Sequence, residues 1–107
     1  MPLIKDITPK ELVKGFAGHY AHGKDLTLGY IEIQAGHQLP QHDHIHEQIT
    51  YIIEGQLDMV IGSEQVSLTA GSFYVIPSGV SHGAFAATDC KVIDVFNPVR
   101  EDYKFIE

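Results

Sequence analysis

Apolar and polar residues alternate with a period of two along much of this chain, and glycine cuts the alternation repeatedly. Leu57, Met59 and Ile61 interleave with Asp58 and Val60, and Phe73 and Val75 with Tyr74 and Ile76. Successive side chains of an extended segment point to opposite faces, so these runs read as short strands, several with apolar groups on both faces. The runs predicted as strands are 26–33, 48–54, 56–61, 65–68, 72–76, 82–86 and 90–96. Between them stand Ala35-Gly36, Glu54-Gly55, Gly62-Ser63, Ala70-Gly71 and Pro77-Ser78-Gly79. These are turns, because glycine accepts positive φ and proline presets the turn dihedral. Many short strands at even spacing, with both faces covered, predict an all-β fold of two packed sheets. The one helical signal is Thr8-Pro9-Lys10-Glu11, with an N-cap threonine, proline at the first helical position and glutamate at the third.

A length of 107 residues fits one domain, divided into an N-terminal arm (1–25), a barrel (26–100) and a tail (101–107). With 44% hydrophobic and 20% charged residues the chain can build a packed core, which argues against disorder. Fourteen acids against seven bases leave a net charge of -7, the wrong sign for nucleic acid or an anionic membrane as main partner. Cys90 is the only cysteine and forms no internal disulfide, and the N-terminus has no long apolar run of the secretion-signal kind. A reducing cytoplasm is therefore the expected location. The apolar runs are only a few residues long, far from the ~20 that cross a bilayer.

Three of the seven histidines, His42, His44 and His46, recur at every second position. In an extended segment they point the same way, so two imidazoles at i and i+2 can grip one metal ion; a solvated histidine loop is the alternative. A second unusual feature is the carboxylate within Val92-Ile93-Asp94-Val95-Phe96. Strand parity puts Val92, Asp94 and Phe96 on one face, where an ionised group is costly unless paired or hydrogen-bonded. Asp94 either hydrogen-bonds a loop at a sheet edge or faces the interior as a candidate general acid or base. After Pro98, Arg100 has the planar fork that clamps a carboxylate in two hydrogen bonds, or it pairs at the surface with Glu101, Asp102 or Glu107.

Gly36, His42, His44, Gln48 and Gly55, followed by Gly71, Pro77, Gly79 and His82, keep a spacing that resembles the two motifs of the cupin superfamily. The first motif is Gly-x5-His-x-His-x3-Glu-x6-Gly and the second Gly-x5-Pro-x-Gly-x2-His-x3-Asn. Gln48 stands where glutamate is usual and Ala86 where asparagine is frequent. Glu47 is adjacent, but neighbouring strand positions face opposite sides, so Gln48 is the inward candidate, through its amide oxygen. The resemblance implies a cupin double-stranded β-helix, a jelly-roll barrel, in which His42, His44, Gln48 and His82 hold one divalent ion of the Mn, Fe, Co, Ni or Zn type. A neutral fourth ligand leaves the +2 charge uncompensated, which strengthens the ion as a Lewis acid. His46 extends the pattern outside the matched ligand positions, while His19, His22 and His37 are expected at the surface or in a dimer contact.

The ending Asp94-Val95-Phe96-x3-Arg100-Glu101-Asp102-Tyr103 is similar to that of the KdgF-type cupins, which turn unsaturated uronate monosaccharides from pectin and alginate into linear keto sugars. Glutamine at the fourth ligand position is that family's own variation. The resemblance implies a metal-dependent ketonising enzyme with Asp94 as proton carrier, Arg100 on the substrate carboxylate and Phe96 against the ring. No nucleotide or organic cofactor is implied, since the chain has no Gly-x-Gly-x-x-Gly or phosphate loop. The alternatives are a non-catalytic metal cupin that binds a sugar acid or another small molecule, and an oxygen-dependent oxidoreductase using Fe(II). A homodimer is expected, with 16–22 as a strand that pairs with a twin subunit.

Overall fold

The computed structural model describes residues 2–104. Met1 and residues 105–107, among them the predicted Arg100 partner Glu107 and the end of the predicted tail, lie outside the described residues. The strands are β1 (Lys10–Val13), β2 (Phe16–His22), β3 (Thr27–Ile33), β4 (Gln38–His42), β5 (Glu47–Glu54), β6 (Gln56–Ile61), β7 (Glu64–Thr69), β8 (Phe73–Ile76), β9 (His82–Ala86) and β10 (Cys90–Asn97). They form a six-stranded sheet in the order β1-β2-β3-β10-β5-β8 and a four-stranded sheet in the order β4-β9-β6-β7. This is the predicted all-β double-stranded β-helix. Ile31, Ile52, Ile61, Ile76, Met59 and Val92 meet between the sheets as the apolar core.

The helical turn expected at Thr8–Glu11 is not formed there. Lys10–Val13 is a strand, and the 3₁₀ turn lies earlier, at Ile4–Asp6. Too few residues precede Gly15 to repay helix nucleation, whereas pairing with β2 satisfies the backbone at once, with Lys10 opposite Gly18 and Glu11 opposite Ala17. Segment 16–22 is a strand, as its pattern indicated, but it pairs within its own chain, from Phe16 opposite Ile33 to His22 opposite Thr27. The edge strand β4 carries no alternation that marked it beforehand. It contains Pro40, which sits in the irregular stretch between Leu39 and His42 where the ladder with β9 is interrupted and its missing N–H costs nothing.

His19, expected at the surface, is instead buried, with its Nδ1 2.6 Å from the Ile7 carbonyl oxygen. His22 is half-buried beside the Thr27 hydroxyl at 2.9 Å. Nor are both faces of each sheet covered. On β5, Gln48, Thr50 and Ile52 point inward, while Ile49, Tyr51 and Ile53 are exposed on the outer face with Phe73 and Val75 of β8. Among the described residues no helix is long and apolar enough to cross a membrane.

Candidate functional site

Strand register assembles the site from both sheets. In the smaller sheet His42 of β4 lies directly opposite His82 of β9. The close approach there depends on Gly83, where a Cβ would come within 3.0 Å of the Leu39 carbonyl oxygen. Gly79, at φ +77, donates its N–H to the His44 carbonyl at 2.9 Å, and the Ser78 hydroxyl reaches the Ile45 carbonyl. These bonds fasten the turn before His82 to the loop that carries His44. In the larger sheet β5 and β10 are paired so that Gln48 is opposite Phe96 and Thr50 is opposite Asp94. Glu47 is exposed and Gln48 buried, as strand parity requires.

The ring centroids of His42 and His82 are 4.3 Å apart, those of His44 and His82 4.9 Å, and those of His42 and His44 5.7 Å. One ring nitrogen from each lies within 4.8 Å of the others. The Nδ1 atoms of His42, His44 and His82 sit 2.9, 3.0 and 2.9 Å from the carbonyl oxygens of Pro40, His46 and Val80. A carbonyl only accepts, so each Nδ1 carries the proton and each Nε2 is left with a lone pair. The Gln48 Oε1 lies 3.1 Å from the His44 Nε2, which sets two lone pairs face to face. A shared cation resolves that conflict, and four neutral N and O donors suit a first-row divalent ion. His46 stacks edge-on against His44 and Phe96 at 5.3 and 6.3 Å, and its buried Nδ1 has no hydrogen-bond partner. It is not part of the three-imidazole cluster.

The imidazoles line a cavity of about 330 Å³, together with Gln48, Thr50, Asp94, Phe96 and Arg100. A volume at the low end for ligand pockets suits a single small molecule rather than a polymer. Asp94 accepts a 2.7 Å hydrogen bond from the Thr50 hydroxyl, which itself accepts one of 2.9 Å from the Gln48 amide nitrogen. Phe96 is buried, with its ring edge-on to that of His44 at 5.9 Å.

Arg100 is buried rather than at the surface, although one partner expected there is its partner here. Its Nε and Nη2 donate to the two carboxylate oxygens of Asp102 at 3.1 and 2.9 Å, and its guanidinium lies 3.8 Å from the centroid of the Tyr103 ring. That pair uses Nε and Nη2 and does not engage Nη1. Thr50, Tyr20 and Tyr103 also face the cavity and were not among the predicted site residues. Only Thr50 had a local signal, since it lies two positions after Gln48 on the same strand face.

Burial governs the electrostatics. It holds the His82 imidazole down at about 4, helped by the neighbouring His42, His44 and Arg100 and opposed by the Val80 carbonyl. It also lowers His44, with Arg100 adding to the effect. Burial thus favours the neutral, ligating form of the His44 and His82 rings near pH 7. Burial pushes the Asp94 carboxyl up to about 6, against the hydrogen bonds from Thr50 and Gln48 and the charge of Arg100. A carboxyl tuned to that range can both take and return a proton near neutral pH.

Residues 29–96 match the Cupin domain family. The pectin degradation protein KdgF of Dickeya dadantii is 32% identical over 81 residues, which cover 74% of each chain. Among solved structures, KdgF from Halomonas sp. superposes with a TM-score of 0.88 at 28% identity, covering 95% of this chain and 96% of that one. An RmlC-like cupin from Shewanella frigidimarina superposes with a TM-score of 0.90 at 27% identity, covering 97% and 95%. The three-imidazole cluster at the mouth of a double-stranded β-helix and these likenesses agree: the chain belongs to the cupin family, as a small KdgF-like member.

Proposed function

We propose that this protein is a metal-dependent enzyme that converts 4,5-unsaturated monouronates, the breakdown products of pectin and alginate, into linear keto sugars. The observation that carries this reading is the single cavity shared by three convergent imidazoles, the Gln48 amide oxygen, the Asp94 carboxyl and the Arg100 guanidinium. Its likeness to KdgF proteins, one of them named for pectin degradation, supports the substrate class. His42, His44, Gln48 and His82 would hold a divalent first-row ion, which supplies Lewis acidity toward a substrate oxygen when bound.

The Arg100 guanidinium binds the substrate carboxylate, and Phe96 packs against the ring. Asp94 takes the proton of the hemiacetal hydroxyl at C1, the bond from C1 to the ring oxygen breaks, and C1 becomes the aldehyde. The electron pair left on the ring oxygen is the enolate of the C4–C5 double bond. Asp94 returns its proton to C4, which leaves the ketone at C5 and no net change in atoms or electrons. In so small a cavity, positioning by Arg100 and Phe96 sets the approach of Asp94.

The deciding assay incubates metal-loaded protein with unsaturated monouronates from pectin and from alginate. Loss of their ultraviolet absorbance without oxygen consumption is the expected result. Persistence of the absorbance together with a higher melting temperature would mark a binding protein, and turnover coupled to dissolved oxygen an oxidoreductase. Arg100→Ala should chiefly raise KM, by about 10- to 100-fold, the worth of hydrogen bonds to a charged group. An unchanged KM in steady-state kinetics would remove Arg100 from the carboxylate subsite.

We further propose a homodimer that covers the outer face of the larger sheet, where Ile49, Tyr51, Ile53, Phe73, Val75 and Leu28 stand exposed together. In register, Val75 lies beside Ile49, and Phe73 beside Tyr51, so the apolar positions are contiguous. Tyr51→Glu should convert the dimer to a folded monomer in sedimentation velocity. A monomeric wild-type protein would refute this arrangement.

A further inference from the structure

Gln48 differs from a carboxylate ligand in one respect that the surrounding structure must answer: its two ends have nearly the same shape and opposite hydrogen-bonding character. Turned one way, the amide presents oxygen to the three imidazoles. Turned the other way, it presents an NH₂ group that no cation accepts. The choice between these orientations is made on the far side of the amide, where Gln48 Nε2 donates to the Thr50 hydroxyl at 2.9 Å and also meets the Asp94 carboxylate, to whose Oδ1 Thr50 donates at 2.7 Å.

We propose that Thr50 is a positioning residue of the metal centre, whose hydroxyl selects the oxygen-inward orientation of Gln48 and ties it to Asp94. A hydroxyl has one proton. The Asp94 carboxylate takes it, so the Thr50 oxygen offers Gln48 only lone pairs, and only the NH₂ end of the amide can bond there. The Gln48 oxygen is thereby turned to the His44 Nε2 at 3.1 Å. Inversion would set the amide oxygen against the lone pairs of Thr50 and leave buried polar atoms unsatisfied, at a cost that favours the observed orientation.

The placement follows from strand geometry. Thr50 is two residues beyond Gln48 on the inner face of β5, directly opposite Asp94 of β10, and is 1% exposed. A glutamate at position 48 would need no such selector, because both of its ends are oxygens. Glutamine as fourth ligand and threonine two residues later are thus one device. The assignment rests on the reading that Gln48 is a metal ligand and is independent of the sugar substrate.

The test uses cobalt(II) as the probe, titrated calorimetrically into metal-free wild-type protein, Thr50→Val, Thr50→Ser, Gln48→Glu and Gln48→Glu/Thr50→Val. Visible spectra report the cobalt ligand field, and circular dichroism melts report folding. Thr50→Val, which keeps the shape of the side chain, should weaken the cobalt Kd by about 10- to 100-fold, as loss of a ligand-orienting partner does. Its cobalt absorption should change, and Thr50→Ser should restore both. In the Gln48→Glu background the valine substitution should leave the Kd unchanged. Wild-type affinity in Thr50→Val, or an equal loss in both backgrounds, would overturn the positioning role alone. A wild-type protein that binds no cobalt would remove the metal reading and this assignment with it. Failure of the uronate assay with these affinities as expected would leave the assignment standing.

Discussion

Asp94→Asn should still bind the uronate and, compared at full metal loading, lose about 10²- to 10⁴-fold in kcat, the usual contribution of a positioned proton carrier. The amide keeps the shape and polarity of the side chain but cannot shuttle a proton between the hemiacetal oxygen and C4. Steady-state kinetics beside a metal titration separate the two effects. A kcat within a few-fold of wild type at full metal loading would show that another group moves the proton.

The same substitution has a second signature, in stability. Burial raises the folded Asp94 carboxyl from its ordinary 3.8 to about 6. Between these values the native state holds a proton that the unfolded chain has lost, so this residue's contribution to stability falls as pH rises through that window. A displacement of roughly two pH units corresponds to about 3 kcal/mol. His82 acts in the opposite sense. Its folded value, lowered from 6.5 to about 4, keeps the native ring neutral while the unfolded one gains a proton, so its contribution is lost as pH falls. The two trends overlap, and the difference between wild type and Asp94→Asn isolates the carboxyl. In urea unfolding of the metal-free proteins, Asp94→Asn should gain on wild type between pH 4 and pH 7 by up to about 3 kcal/mol. A difference independent of pH would contradict the burial of this group.

His82→Ala should abolish turnover and weaken metal binding by more than about 100-fold, since loss of a direct ligand costs more than loss of a residue that only orients one. Chelation of the wild-type protein should abolish turnover to the same extent, and readdition of metal should restore it in the wild type alone. Metal at 100 times its Kd should stabilise the wild-type fold by about 2.7 kcal/mol, because the ligands converge only in the native state. Thermal melts with and without metal measure this. His82 is 1% exposed, so its replacement also opens a cavity; His42→Ala, at a less buried position, should show the same loss of binding with a smaller loss of stability. Retained turnover after exhaustive chelation would refute a metal-dependent reaction.

That Val92, Asp94 and Phe96 share one strand face, and that His42 and His44 point the same way, was legible along single segments, whereas the grouping of His42, His44, Gln48 and His82 came from the resemblance to the cupin motifs and the inward direction of the Asp94 face from the structure. Parity along one strand is set by local dihedrals and needs no distant contact. The environment of Arg100 was not legible. Its position after Pro98 left a carboxylate clamp and a surface ion pair both open, and the guanidinium is in fact buried against Tyr103 and joined to Asp102. Nothing local reveals how the 3₁₀ turn at Glu101–Tyr103 folds back over the cavity. The N-terminal segment failed for a related reason: a sound capping pattern at Thr8–Glu11 lost to strand pairing that only the finished sheet offers.

From sequence alone this protein was committed to short alternating strands, glycine turns at set intervals and a small set of possible metal ligands, because those properties need no more than a few neighbouring residues. The tertiary structure alone decided which strand lies beside which. It brought His42 opposite His82 and Thr50 opposite Asp94, 44 residues away, and left one face of the larger sheet apolar and uncovered. Register between distant strands is chosen by the packing of the whole core, and a slip of β5 by one residue would turn Gln48 and Thr50 out of the cavity and away from Asp94.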